Sequence, residues 1–221
     1  MHIGPGFLSP PVWASTAALS GAALAGSLVA ANRRLEDRRV ILMGVMGAFV
    51  FAAQMVNFPV LPGTSGHLGG GFLLGVLLGA PLAIVVMASI LVVQALVFQD
   101  GGIEALGANI LVMGILPALV GAAVRSLWRK RPGVLGDVVT FLGGVAAVLL
   151  GATSVILLLW ASGSLPGSVS LWQAIGVMDV VHLLIGAVEG AASVAVVRFV
   201  LRTRPDAVFA GLPGGMEALS A

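Results

Sequence analysis

The chain has 221 residues, of which 59% are hydrophobic and 9% are charged, and its mean hydropathy is +1.11. Soluble domains carry about 25% charged residues, so this composition excludes a water-soluble globular protein. The 11 basic and 9 acidic residues give a formal charge of +2, which is too small to indicate nucleic-acid binding. The sequence has no cysteine, which excludes disulfides and thiolate metal ligands. The composition therefore predicts an all-α, polytopic membrane protein.

Apolar runs that approach or exceed the length needed to cross a bilayer, about 20 residues, recur along the chain. The run at 68–98 is too long for one helix, and Gly79-Ala80-Pro81 predicts a break in it, because proline lacks a donor and clashes with the preceding turn. We expect one transmembrane domain over residues 1–204 and a loosely ordered cytoplasmic tail at 205–221. The seven predicted spans are Val12–Ala31, Val40–Phe58, Leu68–Leu78, Leu82–Phe98, Glu104–Val124, Val134–Ala161 and Leu171–Val197.

The distribution of basic residues predicts the orientation of these helices. All lysine and arginine residues fall in three clusters, at 33–39, 125–131 and 198–204. With seven spans the three clusters share one side of the membrane, which the positive-inside rule identifies as cytoplasmic. The N-terminus is then outside and the C-terminus is in the cytoplasm. Trp13, Trp160 and Trp172 lie at the outer helix ends, where an aromatic belt is expected.

The outer side carries residues suited to metal binding. A free amine on Met1, the amide nitrogen of His2 and the His2 imidazole can close fused chelate rings around one ion. A fourth nitrogen in the same plane would complete the arrangement that Ni(II) and Cu(II) favour, and His67 is the other histidine on that side. Asn57, Thr64 and Ser65 are candidates for supporting the ligands, and the two hydroxyls could hydrogen-bond the second imidazole nitrogen or a nearby backbone group. The alternative is that both histidines are ordinary loop residues.

Several segments resemble the CbiM/NikM family, the substrate-binding membrane components of cobalt and nickel energy-coupling-factor transporters. The resemblance covers most of residues 1–124 and the later helices only loosely. Its motifs are Met1-His2-Ile3-Gly4-Pro5-Gly6-Phe7-Leu8-Ser9-Pro10, Val56-Asn57-Phe58-Pro59-Val60, Gly63-Thr64-Ser65-Gly66-His67-Leu68, Gln94-Ala95-Leu96-Val97-Phe98-Gln99-Asp100-Gly101-Gly102 and Leu106-Gly107-Ala108-Asn109-Ile110.

The resemblance implies that Met1, His2 and His67 hold the metal and that six helices form the substrate-binding core, with one extra helix at the N-terminus. It implies an ATP-driven Co²⁺ uptake subunit in the cytoplasmic membrane of a bacterium or archaeon, with Ni²⁺ as the alternative substrate. The implied partners are a transmembrane coupling subunit, a pair of cytoplasmic ATPases and a small additional membrane subunit. The sequence lacks a G-x-x-x-x-G-K-[ST] phosphate loop, so we expect no ATP site and no enzymatic activity in this chain.

Two other interpretations stay open. The chain could be a structural or assembly protein with no metal site, or a membrane-embedded enzyme that uses Asp179, His182 and Glu189, which lie on one stripe of the last helix. Because Asp179 and His182 stand at i,i+3 spacing, we expect them to pair and to form an internal hydrogen-bonded bracket. Other polar residues are expected to hydrogen-bond between helices or to support the outer loops: Gln54, Asn57, Gln94 and Asn109.

Overall fold

Helices make up nearly all the regular structure of the residues that the computed structural model describes, which are 1–33, 37–130 and 133–203. The predicted tail at 205–221 lies outside the described residues. The helices are α1 Pro10–Asn32, α2 Asp37–Gln54, α3 Gly71–Leu78, α4 Ala80–Val93, α5 Leu106–Asn109, α6 Leu116–Lys130, α7 Val134–Ala161 and α8 Leu171–Thr203. A π-helical turn, Gln94–Phe98, continues α4, and a second one, Ile110–Ile115, joins α5 to α6. Two short strands, β1 Phe58–Pro59 and β2 Ser65–Gly66, pair antiparallel.

Five helical stretches among the described residues are long and apolar enough to cross a membrane. They are Pro10–Asn32, Ala80–Phe98, Leu106–Trp128, Val134–Ala161 and Leu171–Thr203, and Arg39–Gln54 is a shorter apolar helix. The polytopic, helical class predicted from composition is therefore confirmed.

The predicted break in the long apolar run is confirmed at Gly79, where φ is +82° between the end of α3 and the start of α4. The helix before the break runs beside α6 in the same direction. At its beginning a Cβ on Gly71 would meet the Met113 carbonyl, and near its end Arg125 donates to the Val76 carbonyl over 2.9 Å. The chain then returns through α4 to the end of the bundle that carries Met1, which we call the N-terminal end.

Two predicted boundaries were wrong, and both corrections lie next to the candidate site. The second helix ends at Gln54 and not at Phe58, because proline at position 59 favours an extended residue before it, and Phe58 is in β1. The third helix begins at Gly71 and not at Leu68. Gly70 precedes it with φ +76°, and a Cβ there would stand 2.4 Å from a Val50 methyl group. Residues 67–70 therefore form a loop that reaches into the bundle, and we call it the His67 loop.

Candidate metal centre

The first residues of the chain run into the N-terminal end of the bundle. Met1 and Ile3 are fully buried, and His2 is 3% exposed. Ile3 forms an antiparallel bridge with Thr64. Its N–H donates to Asn109 Oδ1 over 2.8 Å, and its carbonyl accepts from Asn109 Nδ2 over 3.1 Å. Main-chain pairing on one side and an α5 amide on the other therefore hold the N-terminus in place.

This placement brings the two predicted histidines together. The ring centroids of His2 and His67 are 4.7 Å apart, and the rings are tilted by 34°. His67 is 1% exposed. The two residues are 65 positions apart in the chain, and they meet because the N-terminus and the His67 loop enter the bundle side by side.

The hydrogen bonds assign a tautomer to each ring. His2 Nε2 lies 3.1 Å from Gln94 Oε1, an acceptor, so Nε2 carries the proton. His67 Nδ1 lies 2.7 Å from the Leu68 carbonyl, so in His67 the proton is on Nδ1. The remaining nitrogens, His2 Nδ1 and His67 Nε2, are buried and have no hydrogen-bond partner among the described residues. Each ring therefore keeps one buried lone pair, which suits a metal ligand.

The spacing of the rings fits a shared ion. A chelate through the Met1 amine, the His2 amide and His2 Nδ1 leaves its fourth in-plane position at a right angle to Nδ1. With metal–nitrogen bonds of about 2.0–2.1 Å, two imidazoles at a right angle have centroids about 4.5 Å apart, and opposite ones about 6.3 Å. The observed 4.7 Å matches the right-angle arrangement.

The loop hydroxyls predicted to assist the site have different roles. Ser65 Oγ lies 3.5 Å from the Met1 amine and accepts from the His2 N–H over 3.3 Å, so one hydroxyl contacts both main-chain nitrogens. The Thr64 hydroxyl closes its own turn by bonding to the Leu61 carbonyl over 3.1 Å. Neither hydroxyl bonds an imidazole. Both hydroxyls bond main-chain groups, Ser65 at the N-terminus and Thr64 within its own loop.

Burial keeps the candidate ligands neutral. It lowers the pKa of the Met1 amine to about 4, against weaker opposing effects from the Asp100 and Glu189 carboxylates. Burial, reinforced by the nearby amine, also lowers the pKa of His2 to about 4 and holds the pKa of His67 well below its usual range. At neutral pH the amine and both imidazoles are therefore uncharged, and each has a lone pair available for a metal ion.

Asp100 is a functional candidate that the sequence interpretation did not single out. Its Oδ1 lies 3.4 Å from His2 Nδ1, and its Oδ2 accepts from Asn57 Nδ2 over 3.1 Å. Asn57 thus bonds the carboxylate that lies beside His2. Both His2 and Asp100 line a surface depression of about 590 Å³ beside the loop at 59–65. Asp100 lies in the segment Gln99-Asp100-Gly101-Gly102, whose sequence alone does not indicate which side chain reaches His2.

The polar stripe on α8 differs from its prediction. Asp179 and His182 do not pair: Asp179 accepts from the Thr153 hydroxyl on α7 over 3.1 Å, and His182 Nδ1 bonds the Met178 carbonyl over 2.8 Å. Glu189 belongs to the N-terminal end instead, where it accepts the N–H groups of Gly69 and Gly70 over 2.6 and 2.9 Å. The predicted bracket was therefore wrong, because each side chain finds a better placed partner.

Within the part of the chain that the structure describes, no group of three or more His, Cys, Asp or Glu side chains is spaced to hold a metal ion. The candidate centre is not a cluster of side chains alone, because two of its four nitrogens, the Met1 amine and the His2 amide, belong to the main chain.

Known proteins of similar sequence and structure are named for metal transport. The chain is 36% identical over 213 residues to a Haloquadratum walsbyi protein named for metal transport, covering 95% of this chain and 94% of that protein. It is 35% identical to an Archaeoglobus fulgidus fused protein named for nickel transport (NikMN), covering all of this chain and 72% of that protein. The crystal structure of a truncated transition metal transporter superposes with a TM-score of 0.82 at 29% identity, covering 92% of this chain and 99% of that chain.

The fold and these similarities define a membrane-embedded component of metal transport. Residues 2–207 match the family described as the cobalt uptake substrate-specific transmembrane region, and the chain belongs to that family.

Proposed function

We propose that this chain is the substrate-capture subunit of an ATP-driven Co²⁺ uptake transporter. The ion binds at the N-terminal end through the Met1 amine, the amide and Nδ1 of His2, and Nε2 of His67. One observation carries the proposal: two facing imidazoles each keep a buried nitrogen without a hydrogen-bond partner among the described residues, at the spacing expected for neighbouring ligands of one ion. Asp100, at the wall of the surface depression, attracts the cation toward His2 Nδ1.

The proposed topology has seven spans, counting the shorter α2 and α3, with the N-terminus outside. The chain reversal at Gly79 supports this count, since it puts all three basic clusters on one side. The exposure of Trp13, Trp160 and Trp172 near helix ends is consistent with contact with the membrane interface. A coupling subunit, two ATPases and a small additional subunit would work with this chain in a bacterial or archaeal cytoplasmic membrane.

Ni²⁺ is the second candidate substrate. A planar set of four nitrogens suits Ni²⁺, and the Irving–Williams order gives it tighter intrinsic binding than Co²⁺. The family description favours cobalt, whereas the fused relative is named for nickel. Uptake of labelled Co²⁺ and Ni²⁺ by cells that express the chain with its partners tests the choice. Preferential Co²⁺ uptake supports our proposal, and Ni²⁺ uptake alone would assign the chain to nickel.

The site is tested by adding one residue before Met1. The extension moves the amine away from its place beside Ser65 and breaks the first chelate ring, so we expect Ni²⁺ and Co²⁺ binding to be lost. The matched control carries the same residue after Ala221. Binding is measured by titration of the purified protein in lipid nanodiscs. Equal affinity of the two extended proteins would show that the amine is not a ligand.

A further inference from the structure

A chain of hydrogen bonds leads from His2 across the bundle to α8. His2 Nε2 donates to Gln94 Oε1 over 3.1 Å, and Gln94 Nε2 donates to Gln54 Oε1 over 2.9 Å. Gln54 Nε2 donates to the Gly69 carbonyl over 2.5 Å, and the N–H of the same peptide unit, which belongs to Gly70, donates to Glu189 over 2.9 Å. Gln54, Gln94 and Glu189 are all buried. We call this series the glutamine relay.

The hydrogen bonds of Glu189 determine which group donates and which accepts at each step of the relay. A carboxylate only accepts, and the bonds of Glu189 to the N–H groups of Gly69 and Gly70 hold the Gly69–Gly70 peptide unit in one orientation. Its carbonyl then points at Gln54, which must present its NH₂ group. The oxygen of Gln54 is left for the NH₂ group of Gln94, and the oxygen of Gln94 is left for His2. Each bond of the relay thereby has an assigned donor and acceptor, and His2 must carry its proton on Nε2.

His2 has a competing acceptor on its other side. Asp100 Oδ1 lies 3.4 Å from Nδ1, within reach of a small shift. A neutral imidazole has a single N–H, so His2 can donate to Gln94 or to Asp100 but not to both. A charged acceptor forms the stronger bond, so without the relay the proton would move to Nδ1 and occupy the lone pair proposed for the metal.

We propose that Gln94 and Gln54 are positioning residues for metal capture, which hold His2 in the tautomer whose Nδ1 is free. Glu189 anchors the relay and holds the His67 loop through the same peptide unit. One network therefore sets the tautomer of His2 and the position of the loop that carries His67. The inference rests on the proposed function for its role in metal capture, but the tautomer itself is a property of the metal-free protein.

The test uses Gln94→Met, which keeps the length of the side chain and removes its acceptor. Two-bond ¹H–¹⁵N correlation spectra of the metal-free, ¹⁵N-histidine-labelled protein report the tautomer. We expect the proton on Nε2 of His2 in the wild type and largely on Nδ1 in the variant. Ni²⁺ affinity should fall about 10- to 100-fold, as is typical when a partner of a metal ligand is removed. Gln94→Glu retains an acceptor and should restore the wild-type tautomer.

Two controls separate the relay from general destabilisation. Gln173→Met removes an exposed glutamine at the start of α8 and should change neither the tautomer nor the affinity. Glu189→Gln should weaken Ni²⁺ binding, whereas Asp179→Asn, the same change on the same helix, should not. If Gln94→Met does not fold, Gln54→Met tests the next link with the same spectra.

A wild-type His2 that is protonated on Nδ1 would overturn the inference. So would a tautomer that Gln94→Met leaves unchanged, even if the affinity falls, because that result would make Gln94 a packing residue. Failure of the wild-type protein to bind Ni²⁺ or Co²⁺ while the tautomers follow the prediction would reject the proposed function and keep the relay.

Discussion

Two places in this bundle hold a buried histidine with an unpartnered nitrogen, and their surroundings differ. At the N-terminal end, His2 and His67 face each other with the Met1 amine beside them. On α8, His182 is equally buried and its Nε2 also has no hydrogen-bond partner in the described part of the chain. Its neighbour on the predicted stripe, Asp179, bonds to α7 instead. A single buried lone pair is thus compatible with simple packing, whereas several converging on one point define a candidate metal site.

Replacing one histidine at each of these two places should give the greatest contrast in Ni²⁺ affinity. His67→Ala deletes a proposed ligand, so Ni²⁺ affinity should fall by more than about 100-fold, beyond the usual cost of losing a ligand's partner. His182→Ala should leave the affinity within about threefold of wild type, because His182 is not a proposed ligand and acts on His67 only through a weak electrostatic interaction. Titration of both variants in nanodiscs checks this contrast. A greater loss in His182→Ala would move the site to α8.

The second prediction concerns the number of protons that are released when the metal ion binds. With the pKa of the Met1 amine and of His2 lowered to about 4 and that of His67 also lowered, only the His2 amide must lose a proton at pH 6. Ordinary pKa values of about 8 and 6.5 would release about 3.5 protons per ion at that pH. We expect about one, measured by calorimetry in buffers of different ionisation enthalpy.

The lowered pKa values also predict how the metal affinity depends on pH. Affinity should fall about tenfold per pH unit between pH 7 and pH 5, and more steeply only as the pH approaches 4, where the amine and His2 become protonated. Release of three or more protons at pH 6 would show that the ligands are solvated in the metal-free protein.

A smaller effect is expected from crowding the site. Gly101 has φ +82°, and a Cβ there would stand 2.8 Å from Asn109 Nδ2 and 3.2 Å from His2 Cδ2. Gly101→Ala should therefore displace His2 or its support and weaken Ni²⁺ binding about tenfold. Gly163→Ala is the control, because Gly163 also has positive φ but has open space around it. Equal affinity of the two variants would mean that the contact is not important for binding.

The smallest effect is expected for Asn57→Ala. Asn57 is exposed and reaches the site only through its bond to Asp100, and one such bond contributes about 0.5–1.5 kcal/mol. We expect a loss of Ni²⁺ affinity of less than about tenfold. A loss as large as that of His67→Ala would make Asn57 a direct participant.

The sequence was sufficient for the features that depend on local composition. Long apolar runs predict the helices, and Gly79-Ala80-Pro81 predicts the break, because both follow from backbone chemistry near in sequence. The glutamine relay could not be predicted, since the pairing of Gln94 with Gln54 depends on how two helices are rotated about their axes. Likewise, i,i+3 spacing favoured an Asp179–His182 pair but gave no sign of the Thr153 hydroxyl on the neighbouring helix.

X-ray absorption of the Ni²⁺-loaded protein reports directly which atoms bind the metal. We expect a first shell of nitrogen, with scattering from two imidazoles and no sulfur, although the buried Met1 side chain brings a thioether close to the site. A sulfur ligand, or the signal of only one imidazole, would contradict a centre built from the Met1 amine, His2 and His67.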